Sequence, residues 1–229
     1  MKTTSGNRGF TLVELLVTIT IIIGLAALSF MGITRAKEAV QRSASAAHLR
    51  QFATAITGFT ADNNGFLPAT RNGSNYWPQF LWANLPSTQL YLRPGTRNRP
   101  ISATKNDGDG YFALADNSAM TPEKQPIRWN YVINGGAPTL PFSELGADGK
   151  ALPGIANGLS RPLMQITNPS RTIMLAEGNG AFWINGEAKT NCSRMRKWSN
   201  GKCNILWFDG SVQMMSPKDL RPDHFTAVK

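Results

Sequence analysis

Residues 8–33 read RGFTLVELLVTITIIIGLAALSFMGI, and the physical character of this stretch decides how the other residues of the 229-residue chain are organised. From Leu12 onward it holds one ionisable residue, Glu14, and 19 uncharged residues follow from Leu15 to Ile33. As a helix, such a run is long enough to cross a hydrocarbon core of roughly 30 Å. Lys2 and Arg8 precede it with no acidic residue, a bias that retains the leading end in the cytoplasm and sends the remainder to the other side. A secretory signal has an apolar core of roughly 7–15 residues followed by a small-x-small site. The run here is longer and carries a carboxylate near its start, so secretory cleavage is the weakest reading. A signal anchor, or a leader removed ahead of the helix, stays open.

Working outward, all 14 prolines lie at or beyond Pro68, so the chain has two physically different parts. The proline-free part continues past the apolar run as RAKEAVQRSASAAHLRQFATAITGFTADNNG. Leu49, Phe52, Ala53, Ile56 and Phe59 recur at three- and four-residue steps, the signature of an amphipathic helix, with Arg42, Arg50 and Gln51 on the opposite face. Asp62-Asn63-Asn64-Gly65 has the chemistry of a helix stop and turn. One helix of about 50 residues, on the order of 75 Å, is therefore expected. His48 lies beside the stripe, where packing or solvent accounts for it.

Beyond Gly65 the apolar runs are short. Strands are expected at Trp129–Ile133, Thr172–Ala176, Ala181–Ile184, Asn204–Phe208 and Ser211–Met215. Asp209-Gly210 between the last two predicts a two-residue type I′ hairpin turn with positive φ at both positions. Its strands carry large apolar groups on both faces, one to bury on the stalk and one to meet a neighbour. Gly65 to Pro126 and Gly135 to Pro169 read as irregular loops. The fold class is α+β: a long N-terminal helix, half membrane-spanning and half amphipathic, on a small antiparallel sheet with long loops. The domains are 1–9, a leader; 10–34, a transmembrane and assembly helix; 35–62, an amphipathic stalk; and 63–229, a loop-rich exported β domain.

The junction Arg8-Gly9-Phe10-Thr11-Leu12-Val13-Glu14 resembles the processing site of type IV pilins and type II secretion pseudopilins. The resemblance implies a pilin-like fold, cleavage between Gly9 and Phe10 by a prepilin peptidase, and N-methylation of Phe10. It also implies that Glu14, an expensive group in a spanning helix, pairs with the Phe10 amine of a neighbouring subunit during assembly. The implied partners are other pilin or pseudopilin subunits, an inner-membrane assembly platform and membrane lipid. The implied location is the bacterial inner membrane, single-pass, with the C-terminal domain exported and filamentous after assembly. A second resemblance covers ADNNGFLPA (61–69), NYVIN (130–134), ITNPSRTIMLAEG (166–178) and GKCNILWFDGSVQMM (201–215). These look like pilin-like proteins with a C-terminal domain whose signature is a His, nine residues, then Asp-Gly. Asp209-Gly210 is present, but Ser199 stands at the His position.

Cys192 and Cys203 are the only cysteines and fall on the exported side, where disulfides persist. A bridge is the favoured reading, stabilising by on the order of 2–3 kcal/mol, with two thiols as the alternative. Asp107 and Asp109 form a weak calcium candidate, for which a plain turn is the better reading because a third spaced ligand and a distal Glu are missing; no other cofactor or metal is expected. Glu177, without a visible partner, is read as fixing local loop hydrogen bonds. Two histidines and no Gly-x-Ser-x-Gly elbow give enzymatic chemistry little support. The net charge is +10. Basic residues gather at Arg93, Arg97 and Arg99, and in a candidate contact loop at Arg194, Arg196, Lys197 and Lys202. That loop could meet nucleic acid, anionic polysaccharide or a filament neighbour, or be plain solvated surface. The expectation is a structural filament subunit of a type II secretion pseudopilus or a type IV pilus-like filament. The alternatives are a DNA-uptake pilin using the basic loop and a membrane-anchored exported enzyme.

Overall fold

The structure, a computed structural model, describes residues 10–72, 75–96, 129–135, 142, 159–178 and 195–225. It is α+β: a 51-residue helix α1 (Leu12–Asp62) followed by short strands and turns. The chain divides into two compact units, Met1–Gln41 and Arg42–Lys229.

In the first unit the helix leaves its large apolar side chains outside, Leu12, Ile22, Leu25, Leu28, Phe30 and Ile33 among them. The hydroxyls of Thr18, Thr20 and Ser29 donate to the carbonyls of Leu15, Val17 and Leu25, each at 2.8 Å. Polar groups are thus satisfied within the helix, as a lipid surrounding demands. By length and composition this helix can cross a membrane.

In the second unit the helix buries the expected stripe: Leu49, Phe52, Ile56 and Phe59 are all in the core, while Arg50 and Gln51 are exposed. The helix stops at Asp62 for the expected reason. Asn64 and Gly65 adopt φ of 52° and 84°, and the Gly65 amide closes back on the Thr60 carbonyl at 2.8 Å, a left-handed C-terminal cap that glycine and asparagine accept at little steric cost.

The main sheet has the order β4–β6–β7–β8, antiparallel throughout: β4 (Tyr131–Ile133), β6 (Ile173–Glu177), β7 (Cys203–Trp207) and β8 (Val212–Met215). Alternation along β7 feeds two cores. Leu206, with Tyr131, Ile133 and Leu175, joins the helix stripe and the buried rings of Trp77, Tyr91 and Trp129. Phe52 packs edge-on to Trp77, Tyr91 and Tyr131 with centroids 5.2–5.5 Å away. Ile205, Trp207 and Cys203 face the other way, onto Val132, Ile173, Ala176, Met195 and Phe225. This corrects the expectation that the second hairpin face meets a neighbour: the chain covers Ile205 and Trp207 itself.

Two regions expected to be irregular contain further pairing. β1 (Phe66–Pro68) pairs antiparallel with β5 (Leu159–Pro162), and β2 (Arg71–Asn72) pairs with β3 (Asn75–Tyr76), which leads into the short helix α2 (Trp77–Phe80). Of the expected strands, Ala181–Ile184 lies outside the described residues.

The β7–β8 connection departs from the expected two-residue turn. Leu206 pairs with Val212, the Trp207 amide reaches the Ser211 carbonyl at 2.9 Å, and the Gly210 amide reaches the Trp207 carbonyl at 3.0 Å. The loop is therefore three residues, Phe208 to Gly210. Gly210 alone takes a positive φ, 83°, while Asp209 does not. This is a tight turn closed by a glycine bulge, and the Asp209 carboxylate holds it by accepting the Ser211 amide at 2.8 Å.

Candidate functional site

Glu14 sits in the first turn of α1 and exchanges hydrogen bonds with Thr11. Its Oε2 accepts the Thr11 amide at 2.9 Å and the Thr11 hydroxyl at 2.8 Å, and the Thr11 Oγ1 accepts the Glu14 amide at 3.2 Å. This is a capping box, in which two amides that lack partners at a helix start are satisfied reciprocally. Phe10, just ahead of it, is 75% exposed. Gly9 lies outside the described residues. The Thr-x-x-Glu spacing at residues 11–14 is the sequence signal for this box, and it gives Glu14 a local role that the reading of it as an assembly group does not include.

In the folded unit a second carboxylate dominates. Glu177, at the end of β6, is fully buried. Its Oε1 accepts the Ser45 hydroxyl from the helix and the Asn204 side-chain amide at 3.2 Å. Its Oε2 accepts the Asn204 backbone amide at 2.8 Å and the Trp198 indole N–H at 2.8 Å. The Arg93 Nε lies 3.6 Å from Oε1, and the Arg93 guanidinium sits over the Trp198 ring, 3.4 Å from its centroid, in cation–π geometry. Burial raises the Glu177 pKa, opposed by Arg93 and by the donors on its oxygens. Burial lowers that of Arg93, with Glu177 opposing.

The cluster extends along the helix. Tyr131 Oη is 3.1 Å from the Ser45 Oγ and 3.3 Å from His48 Nδ1, and Asn204 donates to the Arg42 carbonyl at 3.0 Å. Burial raises the Tyr131 pKa and lowers that of His48. Two expectations are corrected here. Arg93 is a buried partner of Glu177, so it does not belong to a surface basic patch. Glu177 bonds across four distant segments instead of fixing its own loop. Both its oxygens are occupied by donors, which suits an anchor for the fold.

Of the candidate contact loop, Lys197 and Lys202 are exposed and Arg196 is half-buried, while Arg194 lies outside the described residues, as do Arg97 and Arg99. The loop is folded tightly. The Trp198 amide donates to the Lys202 carbonyl at 2.8 Å and the Gly201 amide to the Trp198 carbonyl at 2.9 Å. Gly201 takes φ 74°, and Asn200 Oδ1 accepts the Lys202 amide at 3.0 Å. Bond for bond this repeats the turn at Trp207–Ser211, and the parallel is legible in WSNGK (198–202) against WFDGS (207–211), a signal the sequence reading missed. Cys203 is buried on the second face of β7. Cys192, and with it the expected bridge, lies outside the described residues, as do Asp107 and Asp109.

A family model described as a prokaryotic N-terminal methylation motif matches residues 4–29. The chain carries a type IV pilin-like prepilin signal. That signal implies processing by a prepilin peptidase and assembly with other pilin subunits, and it points to a structural, pilin-type protein. With the one apolar N-terminal helix, it fits a single-pass inner-membrane protein. No curated protein and no solved structure matches the chain. The matched residues end within α1, so the second resemblance, with Ser199 at the His position, rests on the sequence segments alone.

Proposed function

We propose that the chain is a structural subunit of a type II secretion pseudopilus or type IV pilus-like filament, cut after Gly9, N-methylated at Phe10 and assembled through its N-terminal helix. The observation that carries this reading is the methylation motif at residues 4–29 running directly into an apolar helix whose first turn holds Glu14. In the assembled state the Phe10 amine of one subunit and the Glu14 carboxylate of the next form an ion pair in lipid, where an unpaired charge is costly. An inner-membrane platform supplies the site of assembly, and a separate cytoplasmic ATPase drives it. The exported domain gives the subunit its surface.

The test is mass spectrometry of the N-terminus in cells with and without a prepilin peptidase. The expected product begins at N-methyl-Phe10, and an intact Met1 in cells containing the peptidase overturns the reading. Glu14→Ala should enter the membrane at least as well as the parent yet fail to join filaments; normal incorporation would remove the ion pair from the account.

A further inference from the structure

Asn204 and Ser45 fix the Lys197–Lys202 loop against one particular end of the folded unit. Asn204, two residues after Lys202, donates to the carbonyl of Arg42, the first residue of that unit. Glu177 joins Ser45 to Trp198. The Arg196 amide donates to the Glu177 carbonyl at 3.0 Å, and Met195 bridges to Gly178. The loop therefore lies beside the turn of helix at which the chain enters the unit. A loop of like charges would otherwise spread, but the indole of Trp198, held between Glu177 and Arg93, pins this one. Lys197 and Lys202 stay exposed and are paired with no acid among the described residues. Glu177, the acid nearest them in this cluster, is buried and already engaged.

We infer that this end of the unit is a basic surface that seats on anionic lipid headgroups. The inference rests on the reading that residues 12–33 span a membrane. Arg42 is nine residues beyond Ile33, so chain length alone holds it within roughly 30 Å of the end of that run. A tethered surface meets headgroup phosphates at high effective concentration, whereas a nucleic acid or polysaccharide must reach it by diffusion. Each basic residue near an anionic surface contributes a modest attraction that fades within a Debye length, about 8 Å at physiological salt. Lys197 and Lys202 act together, and the surface holds the unassembled subunit against the membrane until a filament neighbour displaces the lipid.

The experiment uses the full chain in nanodiscs of phosphatidylcholine alone or mixed with phosphatidylglycerol, with acetylation rates of Lys197 and Lys202 read by mass spectrometry. Phosphatidylglycerol should slow Lys202 acetylation about fivefold at low salt, high salt should abolish the difference, and Lys197→Glu should reduce it at Lys202. Lys197→Ala, which removes an exposed charge without reversing it, should give a smaller change in the same direction. Equal rates in the two lipids, equal protection in both, or protection by added DNA but not by phosphatidylglycerol would each overturn the inference. A chain that fails to enter nanodiscs of either lipid overturns the membrane reading instead, and that result is read from insertion, separately from the lysine rates.

Discussion

The hydroxyl of Ser45 on α1 donates to the buried carboxylate of Glu177 at the end of β6, 132 positions away in sequence. That bond, with those from Asn204 and Trp198, makes one acceptor serve the helix, the central strand β7 and the basic loop at once. Partial satisfaction of a buried polar network is worse than none, so substitutions here should show large and chemically specific effects.

Glu177→Gln keeps the shape but turns one acceptor oxygen into an N–H donor. Whichever way the amide points, buried donors of Ser45, Asn204 or Trp198 then face another donor, and Arg93 loses its counter-charge. A loss of about 3 kcal/mol is expected in urea unfolding of the chain. A change below about 0.5 kcal/mol, the range of ordinary surface substitutions, would contradict the role given to the carboxylate.

Trp198→Phe separates two contributions of the indole, since the ring remains available to Arg93 while the N–H to Glu177 is gone. The expected loss is about 1.5 kcal/mol, accompanied by faster amide exchange across residues 196–202. Unchanged exchange there would mean that the turn bonds alone hold the loop.

The pH dependence carries opposite signs at two sites. Burial lowers the folded pKa of His48, and that of His224, below the ordinary 6.5, so the unfolded chain binds the extra protons and stability falls as pH drops from 6.5 through the folded values. Burial raises the folded pKa of Glu177 above 4.5, so its contribution is full below 4.5 and is lost as pH rises through the folded value. His48→Asn should flatten part of the slope just below pH 6.5, and Glu177→Gln should remove the opposing one above 4.5. Melts of parent and variants across this range test both, and a Glu177→Gln variant that gains stability from pH 6.5 downward would refute the histidine assignment.

Gly210 has φ 83°, and apart from its immediate chain neighbours no atom lies within 4 Å of the point where a Cβ would stand, so a side chain there costs backbone conformation alone. Gly210→Val should destabilise by about 1–2 kcal/mol, and Gly210→Asn by less, because asparagine tolerates the left-handed region. Asp209→Ala, which frees the Ser211 amide at the surface, should lose about 0.5–1 kcal/mol. Equal effects of valine and asparagine in thermal melts would argue against the bulged turn.

Much of the molecule could be read along the chain because the signals are local. The apolar run from Leu15 to Ile33, the stripe from Leu49 to Phe59 and the stop at Asp62-Asn63-Asn64-Gly65 each depend on residues within a few turns of one another, and periodicity alone fixes them. The processing junction is likewise a short linear pattern. The position of the β7–β8 hairpin followed from Asp209-Gly210, although its three-residue geometry depended on whether Trp207 pairs with Ser211. What only the tertiary structure decided is long-range. Nothing near Glu177 in sequence names Ser45, Trp198 or Arg93, and a basic residue reads as surface until a buried carboxylate is brought beside it. The pairing of Phe66–Pro68 with Leu159–Pro162 joins two stretches that look irregular because neither is long enough to show alternation. Covering of Ile205 and Trp207 by Met195 and Phe225 is of the same kind: whether an apolar strand face awaits a partner or is closed by its own chain is settled by packing, which local pattern does not encode.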